Sequence, residues 1–305
     1  MRTWLRRFVI GFGAVVGLVL LLAATAFAIS ERNIRRSYHV AGRDVAVPTG
    51  REAVERGQHF ARAITKCVEC HGDDLGGKVW VDDPAVGRLV PHNLTRGRGG
   101  LGDSLTAADW ERAVRRGVGR NGRALRFMPS EDWPTLSDAD LGAIIAWARQ
   151  LPPVDRELPE TRIGPVPRLF NALGKLPLAA HVIAERAPRY AAGEVTAPSR
   201  GATAEYGKYL VDVGGCTGCH GPGLSGGHVP GTPPAFKPAA NLTPVGIGHY
   251  TEADFFRALR DGVRPGGTAI DSFMPWKLTR EMSDEEIRAV YAYLRTVPRR
   301  EFGNR

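Results

Sequence analysis

One pattern occurs twice along this chain, in the same order. Glu69-Cys70-His71-Gly72 returns as Gly218-Cys219-His220-Gly221, and Asn93-Leu94-Thr95 returns as Asn241-Leu242-Thr243. Thr106-Ala107-Ala108-Asp109-Trp110 is echoed by Thr251-Glu252-Ala253-Asp254-Phe255, Phe127-Met128-Pro129 by Phe273-Met274-Pro275, and Ser137-Asp138 by Ser283-Asp284. The offset between copies stays within 145–149 residues. Tandem modules of roughly 100 residues each account for this best. Each copy reads as helical. Ser137-x-x-Asp140 and Ser283-x-x-Glu286 are helix starts in which the hydroxyl accepts a backbone N–H left over at the first turn. Behind them Leu141, Ile144, Ile145 and Ala148, and in the second copy Ile287, Val290, Tyr291 and Leu294, form apolar stripes that Pro152 and Pro298 close. Thr106 and Thr251 open a second helix that ends near Gly117 and Gly262, and a third precedes each cysteine pair, over about 53–64 and 204–211. No alternating strand pattern competes with these, and Gly/Pro-rich stretches such as 97–102 and 222–238 separate the helices. The expected fold is all-α, two tandem domains behind an N-terminal apolar segment.

All four cysteines fall in Cys67-Val68-Glu69-Cys70-His71 and Cys216-Thr217-Gly218-Cys219-His220. Both are C-x-x-C-H, the attachment pattern of c-type haem. One helical turn sets two thiols against the two vinyl groups of a porphyrin, and the next residue aims its imidazole at the iron. A thioredoxin-like pair would lack the histidine, and a structural zinc site would need a fourth ligand that neither copy offers at close spacing. A six-coordinate iron needs a distal ligand, and the chain has only Met1, Met128, Met274 and Met282. Met128 and Met274 occupy equivalent loop positions, each followed by proline, and are the expected sulfur ligands to the irons held by His71 and His220. Met282 aligns with Leu136 and reads as core filler. His39, His59, His92, His181, His228 and His249 have no histidine counterpart in the other copy, so a shared haem role is not expected of them. The Asn-Leu-Thr repeats point to a loop passing near the haem, and the carbonyl of Pro91 or Pro238 just ahead is a candidate acceptor for the proximal histidine N–H.

Residues 8–29 form a 22-residue run without a charge, preceded by Arg2, Arg6 and Arg7. At about 1.5 Å per residue it spans roughly 33 Å, enough for a bilayer core. It outlasts the apolar stretch of a signal peptide, so an uncleaved anchor is expected; Ala24-Thr25-Ala26 or Ala26-Phe27-Ala28 would serve as the cleavage site of the alternative. In both cases the remainder is exported. Haem attachment of this kind takes place outside the bacterial cytoplasm, which puts the two modules in the periplasm of a single-pass protein of the cytoplasmic membrane. The formal charge of +9 does not mark a nucleic-acid binder, because residues 51–155 are neutral and residues 201–305 carry only +1. The surplus lies in the N-terminal 50 residues and in the connector. The chain divides into anchor and stalk (1–45), a first domain (46–155), a Pro-rich connector (156–199) and a second domain (200–305). The connector is expected to be an extended strap with one short helix over 169–187, lying against both modules.

On these motifs the chain resembles a membrane-anchored dihaem cytochrome c with two class I-type domains. The succession Asn-Leu-Thr, Gly-rich loop, Thr-x-x-Asp-aromatic helix and Phe-Met-Pro is similar to the cytochrome c subunits of bacterial alcohol, aldehyde and sugar-acid dehydrogenases, over about 50–155 and 200–305. Those subunits commonly carry three haems, and this chain has motifs for two. The resemblance implies two covalently bound haem c groups and single-electron transfer between a dehydrogenase or respiratory complex and a downstream cytochrome or oxidase. It implies no catalytic residue of its own. A dihaem peroxidase is the rival enzyme reading, but it needs an open distal position, against which two equivalent methionines argue. A haem-based sensor is the rival binding module.

Overall fold

The computed structural model describes residues 2–186, 193–232 and 235–304. A long helix, α1 (Arg2–Arg35), leads the chain. The first module follows as α2 (Arg51–His59), which runs on through a π-helical stretch (Phe60–Ile64), then α3 (Cys67–His71), α4 (Ala107–Arg116) and α5 (Asp138–Gln150). Connector helices α6 (Pro165–Ala172) and α7 (Ala179–Arg186) come next. The second module consists of α8 (Ala204–Val213), α9 (Cys216–His220), α10 (Pro244–Ile247), α11 (Glu252–Asp261), α12 (Trp276–Thr279) and α13 (Asp284–Leu294).

In each module the helix ahead of the cysteines packs on the last helix, α2 on α5 and α8 on α13. The crossings are so close that a Cβ on Gly57 would stand 1.9 Å from the Ala143 carbonyl oxygen, and one on Gly207 1.9 Å from that of Ala289. A glycine inside a helix costs about 1 kcal/mol relative to alanine, and here backbone-to-backbone approach is what it allows. Local chemistry starts the helices as the sequence suggests. Thr106 with Asp109, Thr251 with Asp254 and Ser283 with Glu286 form reciprocal capping boxes. Ser137 makes half of one: its hydroxyl accepts from Asp140 N at 3.1 Å, but its own N–H donates to Tyr209 Oη at 3.1 Å. The Asp140 carboxylate is already taken by the Ser137 hydroxyl, by Tyr209 Oη at 2.5 Å and by Arg56 Nε at 2.6 Å.

One apolar core runs through both modules, from Phe60, Ile64, Leu141 and Ile145 in the first to Tyr206, Leu210, Ile287 and Leu294 in the second. Its polar margin joins them as well. His59 pairs with Glu286 at 2.7 Å, Arg62 with Glu281 at 2.8 Å, and Trp133 Nε1 donates to Val213 O at 3.0 Å.

Two regions depart from expectation. Strands β1 (Val81–Asp83), β2 (Gly87–Leu89) and β3 (Arg162–Ile163) form a small antiparallel sheet in that order, with Val81 opposite Leu89 and Gly87 opposite Ile163. Strands of two or three residues are too short to write an alternation. Asp83 Oδ1 holds the turn by accepting from Ala85 N and Val86 N, both at 2.8 Å. Among its described residues the connector holds two helices rather than one, separated by Gly174 and Pro177; Ala187, the last residue of the expected helix, lies outside the described residues. Helix α6 packs on α1, while α7 packs on α4 and the 3-10 turn Ser130–Asp132 of the first module.

Candidate functional site

Both cysteine turns open on a residue in the left-handed region, Lys66 at φ 54° and Gly215 at φ 69°, which swings the chain out of the preceding helix and starts a new turn. Cys67 and Cys70, and Cys216 and Cys219, stand on these turns as half-buried thiols. At the end of each turn the histidine is oriented by a backbone carbonyl. His71 Nδ1 donates to His92 O at 2.9 Å and His220 Nδ1 donates to Ala240 O at 2.7 Å. A carbonyl can only accept, so the proton sits on Nδ1 and the lone pair on Nε2, the tautomer a metal-binding imidazole needs. Burial pushes the His71 imidazole down to about 4, with the His92 carbonyl bond opposing it, so the ring is neutral at ordinary pH.

The acceptors are therefore not Pro91 or Pro238 but the residues directly before each asparagine. His92 takes part in the site after all, through its carbonyl. Its counterpart Ala240 does the same with no side-chain likeness, which is why alignment of the copies gave no signal.

The Asn-Leu-Thr loops hold these carbonyls in place. Asn93 Oδ1 accepts from Thr95 N at 2.9 Å while its Nδ2 donates to Val154 O at 2.7 Å, just past α5. Asn241 repeats this, with Thr243 N at 2.9 Å and Arg300 O at 2.8 Å. Leu94 N and Leu242 N donate to Leu75 O and Leu224 O, each at 2.8 Å, which ties the loop back to the chain after the cysteine turn.

Met128 and Met274 are half-buried against the same apolar core as Cys67 and Cys216. Met282 and Leu136 are fully inside it, as core filler should be. The phenylalanine before each loop methionine is held by a second aromatic ring from the segment after the cysteine turn. Phe127 stacks on Trp80 at 6.2 Å and 8°, and Phe273 meets Phe236 edge-on at 4.8 Å and 77°. Trp80 and Phe236 do not align within the repeat, so this common clasp was not readable from the sequence. Two thiols on one turn, an imidazole with a fixed tautomer and a half-buried thioether form, in each module, a donor set that fits covalently attached haem.

The two sites adjoin across the module boundary. Lys66 Nζ donates to Ile64 O at 2.9 Å and to Gly214 O at 3.1 Å, two residues before Cys216. From the first module the Asp132 carboxylate lies so near Gly215 that a Cβ there would be 2.7 Å from its oxygen. Burial, reinforced by the neighbouring Glu131 charge and opposed by Lys66, raises Asp132 to about 7. Neither Lys66 nor Asp132 carried a motif.

Residues 204–298 match the family described as Cytochrome c, and residues 52–147 match that described as Cytochrome C oxidase, cbb3-type, subunit III. Both modules are cytochrome c domains, and the chain is a dihaem c-type cytochrome whose cofactors are two covalently bound haem c groups. It is similar to cytochrome subunits of dehydrogenases. It is 35% identical over 98 residues to the fructose dehydrogenase cytochrome subunit of Gluconobacter japonicus, which covers 30% of this chain and 20% of that one. With the gluconate 2-dehydrogenase cytochrome c subunit of Pantoea cypripedii it shares 37% identity over 94 residues, 28% of this chain and 21% of the relative. A nicotinate dehydrogenase subunit of Pseudomonas putida is 33% identical over 229 residues, 68% of this chain and 18% of that protein. The matched region thus spans about a fifth of the length of these curated relatives.

Proposed function

We propose that this chain is a membrane-held, periplasm-facing electron carrier that passes single electrons between a dehydrogenase or respiratory complex and a downstream cytochrome or oxidase. In this reading Cys67 and Cys70, and Cys216 and Cys219, form the thioether links. His71 and His220 ligate through Nε2, and Met128 and Met274 complete the coordination through sulfur. The bound haem supplies the one-electron iron couple. The chain's own residues hold and shield it. The carbonyls of His92 and Ala240 fix each imidazole ring and raise its basicity. Asn93 and Asn241 keep those carbonyls still. Phe127 on Trp80 and Phe273 on Phe236 tie the Met-Pro loops to the segment that follows each cysteine turn.

The observation that carries the reading is the recurrence, in both modules, of the same histidine-to-carbonyl geometry together with a half-buried loop methionine packed on the core that the first cysteine of the turn also touches. Duplicate saturated sites suit a carrier, whereas a peroxidase needs one site left open. No catalytic residue is assigned, and substrate oxidation falls to the partner; the names of the relatives, cytochrome subunits of fructose and gluconate dehydrogenases, favour a dehydrogenase in that role. An uncleaved anchor is favoured by the length of the uncharged run in α1 and by its Phe27 ring, which cleavage after Ala28 would remove and over which Arg168 lies at 4.5 Å. Glu31 there pairs with Arg168 at 2.8 Å.

Purified from membranes, the full chain should contain two irons, show a low-spin ferric spectrum, resist carbon monoxide when ferrous, and co-purify with a dehydrogenase that reduces it. A high-spin component with rapid peroxide turnover would replace this reading by the peroxidase.

A further inference from the structure

Helix α6 is short and two-sided. Val166, Leu169, Phe170 and Leu173, the last just beyond its C-terminus, are spaced i, i+3, i+4 and i+7 and so form one stripe. They are 42%, 47%, 40% and 62% exposed. The exposed Leu176 follows in the next turn of chain. Four large apolar side chains on one face of one short helix are not the scattered exposure usual on a soluble surface.

The other side of α6 is fastened to α1. Arg168 reaches Glu31 at 2.8 Å and lies over the Phe27 ring at 4.5 Å from its centroid, and Asn33 Nδ2 donates to Asn171 Oδ1 at 3.1 Å. These contacts fix the height of α6 along α1. Phe27 belongs to the uncharged run that ends at residue 29, and Glu31 lies only two residues, about 3 Å, beyond it. When the run crosses a bilayer, α6 stands at the level where hydrocarbon gives way to headgroups. Along 30–36 and 164–176 the charged residues are Arg32, Arg35, Arg36, Arg168 and Lys175 against Glu31, to which Arg35 and Arg168 pair, a basic excess that suits anionic lipid.

We propose that α6 is a membrane-interface foot whose Val166, Leu169, Phe170 and Leu173 face is covered by lipid beside the exit of α1. This rests on α1 being an uncleaved anchor. Together they give the haem modules two points of attachment, so that the modules keep one orientation towards the membrane rather than swinging on a stalk. The level of α6 at the end of the apolar span, fixed by the contacts of Arg168 and Asn171 to Phe27, Glu31 and Asn33, is what selects lipid over a protein partner as the occupant.

Because all four native cysteines lie in the haem motifs, Leu173→Cys adds one reactive thiol, and Phe302→Cys adds a reference thiol on an exposed residue of the second module. Each full-length variant, with its haem spectrum unchanged, is placed in nanodiscs of phosphatidylcholine and phosphatidylglycerol. It is then treated with a charged, membrane-impermeant maleimide. The Leu173→Cys thiol should react at least about tenfold more slowly than the Phe302→Cys thiol, since an apolar setting disfavours the reactive thiolate. An acyl-chain photoactivatable lipid should cross-link to the α6 peptide of the unmodified protein. Equal maleimide rates with no lipid cross-link would overturn the foot while leaving the anchor intact. Oxidative Leu173→Cys dimers that form only at two chains per disc would assign the face to a second copy and overturn it too. A chain that does not co-elute with the discs would overturn the anchor, and the foot with it.

Discussion

The two modules perform the same turn with different residues at its opening. Lys66 in the first and Gly215 in the second both take up the left-handed backbone before their cysteine pair. For a lysine that conformation costs on the order of 1 kcal/mol. The ammonium offsets it with two backbone carbonyls, one of them Gly214 O in the other module. Glycine carries no such strain, and its missing side chain is the space in which Asp132 of the first module sits. So at the cysteine turns the first module contributes side chains and the second contributes backbone, whereas elsewhere along the boundary the second supplies the side chains of Tyr209, Glu281 and Glu286. What each proposed haem site uses is repeated: the thiols, the histidine, its carbonyl, the methionine loop. What the pair needs in order to lie together is not repeated, and it has diverged.

Independence of the sites is the part of this comparison most easily broken. Replacing Cys216 and Cys219 together by serine should lower covalent haem from two to one per chain, read by iron content and the pyridine haemochrome, with the first module's spectrum retained. Loss of both would show that the shared core does not form without the second cofactor. Met128→Ala and Met274→Ala should each convert one site, and only one, from low to high spin in the ferric spectrum. An unmoved spectrum would remove that methionine from the ligand set.

Asymmetry at the boundary gives smaller effects. Asp132 titrates near 7 in the folded chain and near the ordinary carboxylate value when unfolded, so the folded state binds the extra proton between about pH 4 and pH 7. Its contribution is complete at the acid end and is lost as pH rises through 7. About 4 kcal/mol is at stake. Asp132→Asn should flatten that slope in denaturant titrations run across this range. Gly215→Val brings a β-branched residue to positive φ and into the Asp132 carboxylate. It should destabilise by about 2–3 kcal/mol, partly recovered when Asp132→Ala is added. Lys66→Gly relieves the left-handed strain while giving up the two carbonyl bonds. Its net change should stay within about 1 kcal/mol, measured by the same titration. A larger loss would make the contact to Gly214 the dominant tie at this boundary.

Legibility followed the range of the interaction. Caps such as Thr251 with Asp254 are settled within four residues and could be read directly, as could the C-x-x-C-H turns and the burial of Met282. The π-helical stretch of Phe60–Ile64, the hairpin of β1 and β2 and the break between α6 and α7 left no periodic trace. At the sites, side chains with a fixed chemical duty were visible and backbone donors and acceptors were not. His92 and Ala240 look unrelated because only their carbonyl oxygens matter. Trp80 and Phe236 meet equivalent phenylalanines from non-equivalent positions, which no comparison of the two copies could reveal.

Phe60 and Ile64 sit just ahead of one cysteine turn, Leu210 and Val213 just ahead of the other, and all four share one apolar core. The spacing of the two cysteine turns is therefore set by side-chain volume at that junction, as a ruler is set by its material, and not by the tether joining the modules. Adding residues to the tether near 198 should leave the electronic coupling of the pair untouched, whereas shaving a methyl from Ile64 or Val213 should alter it.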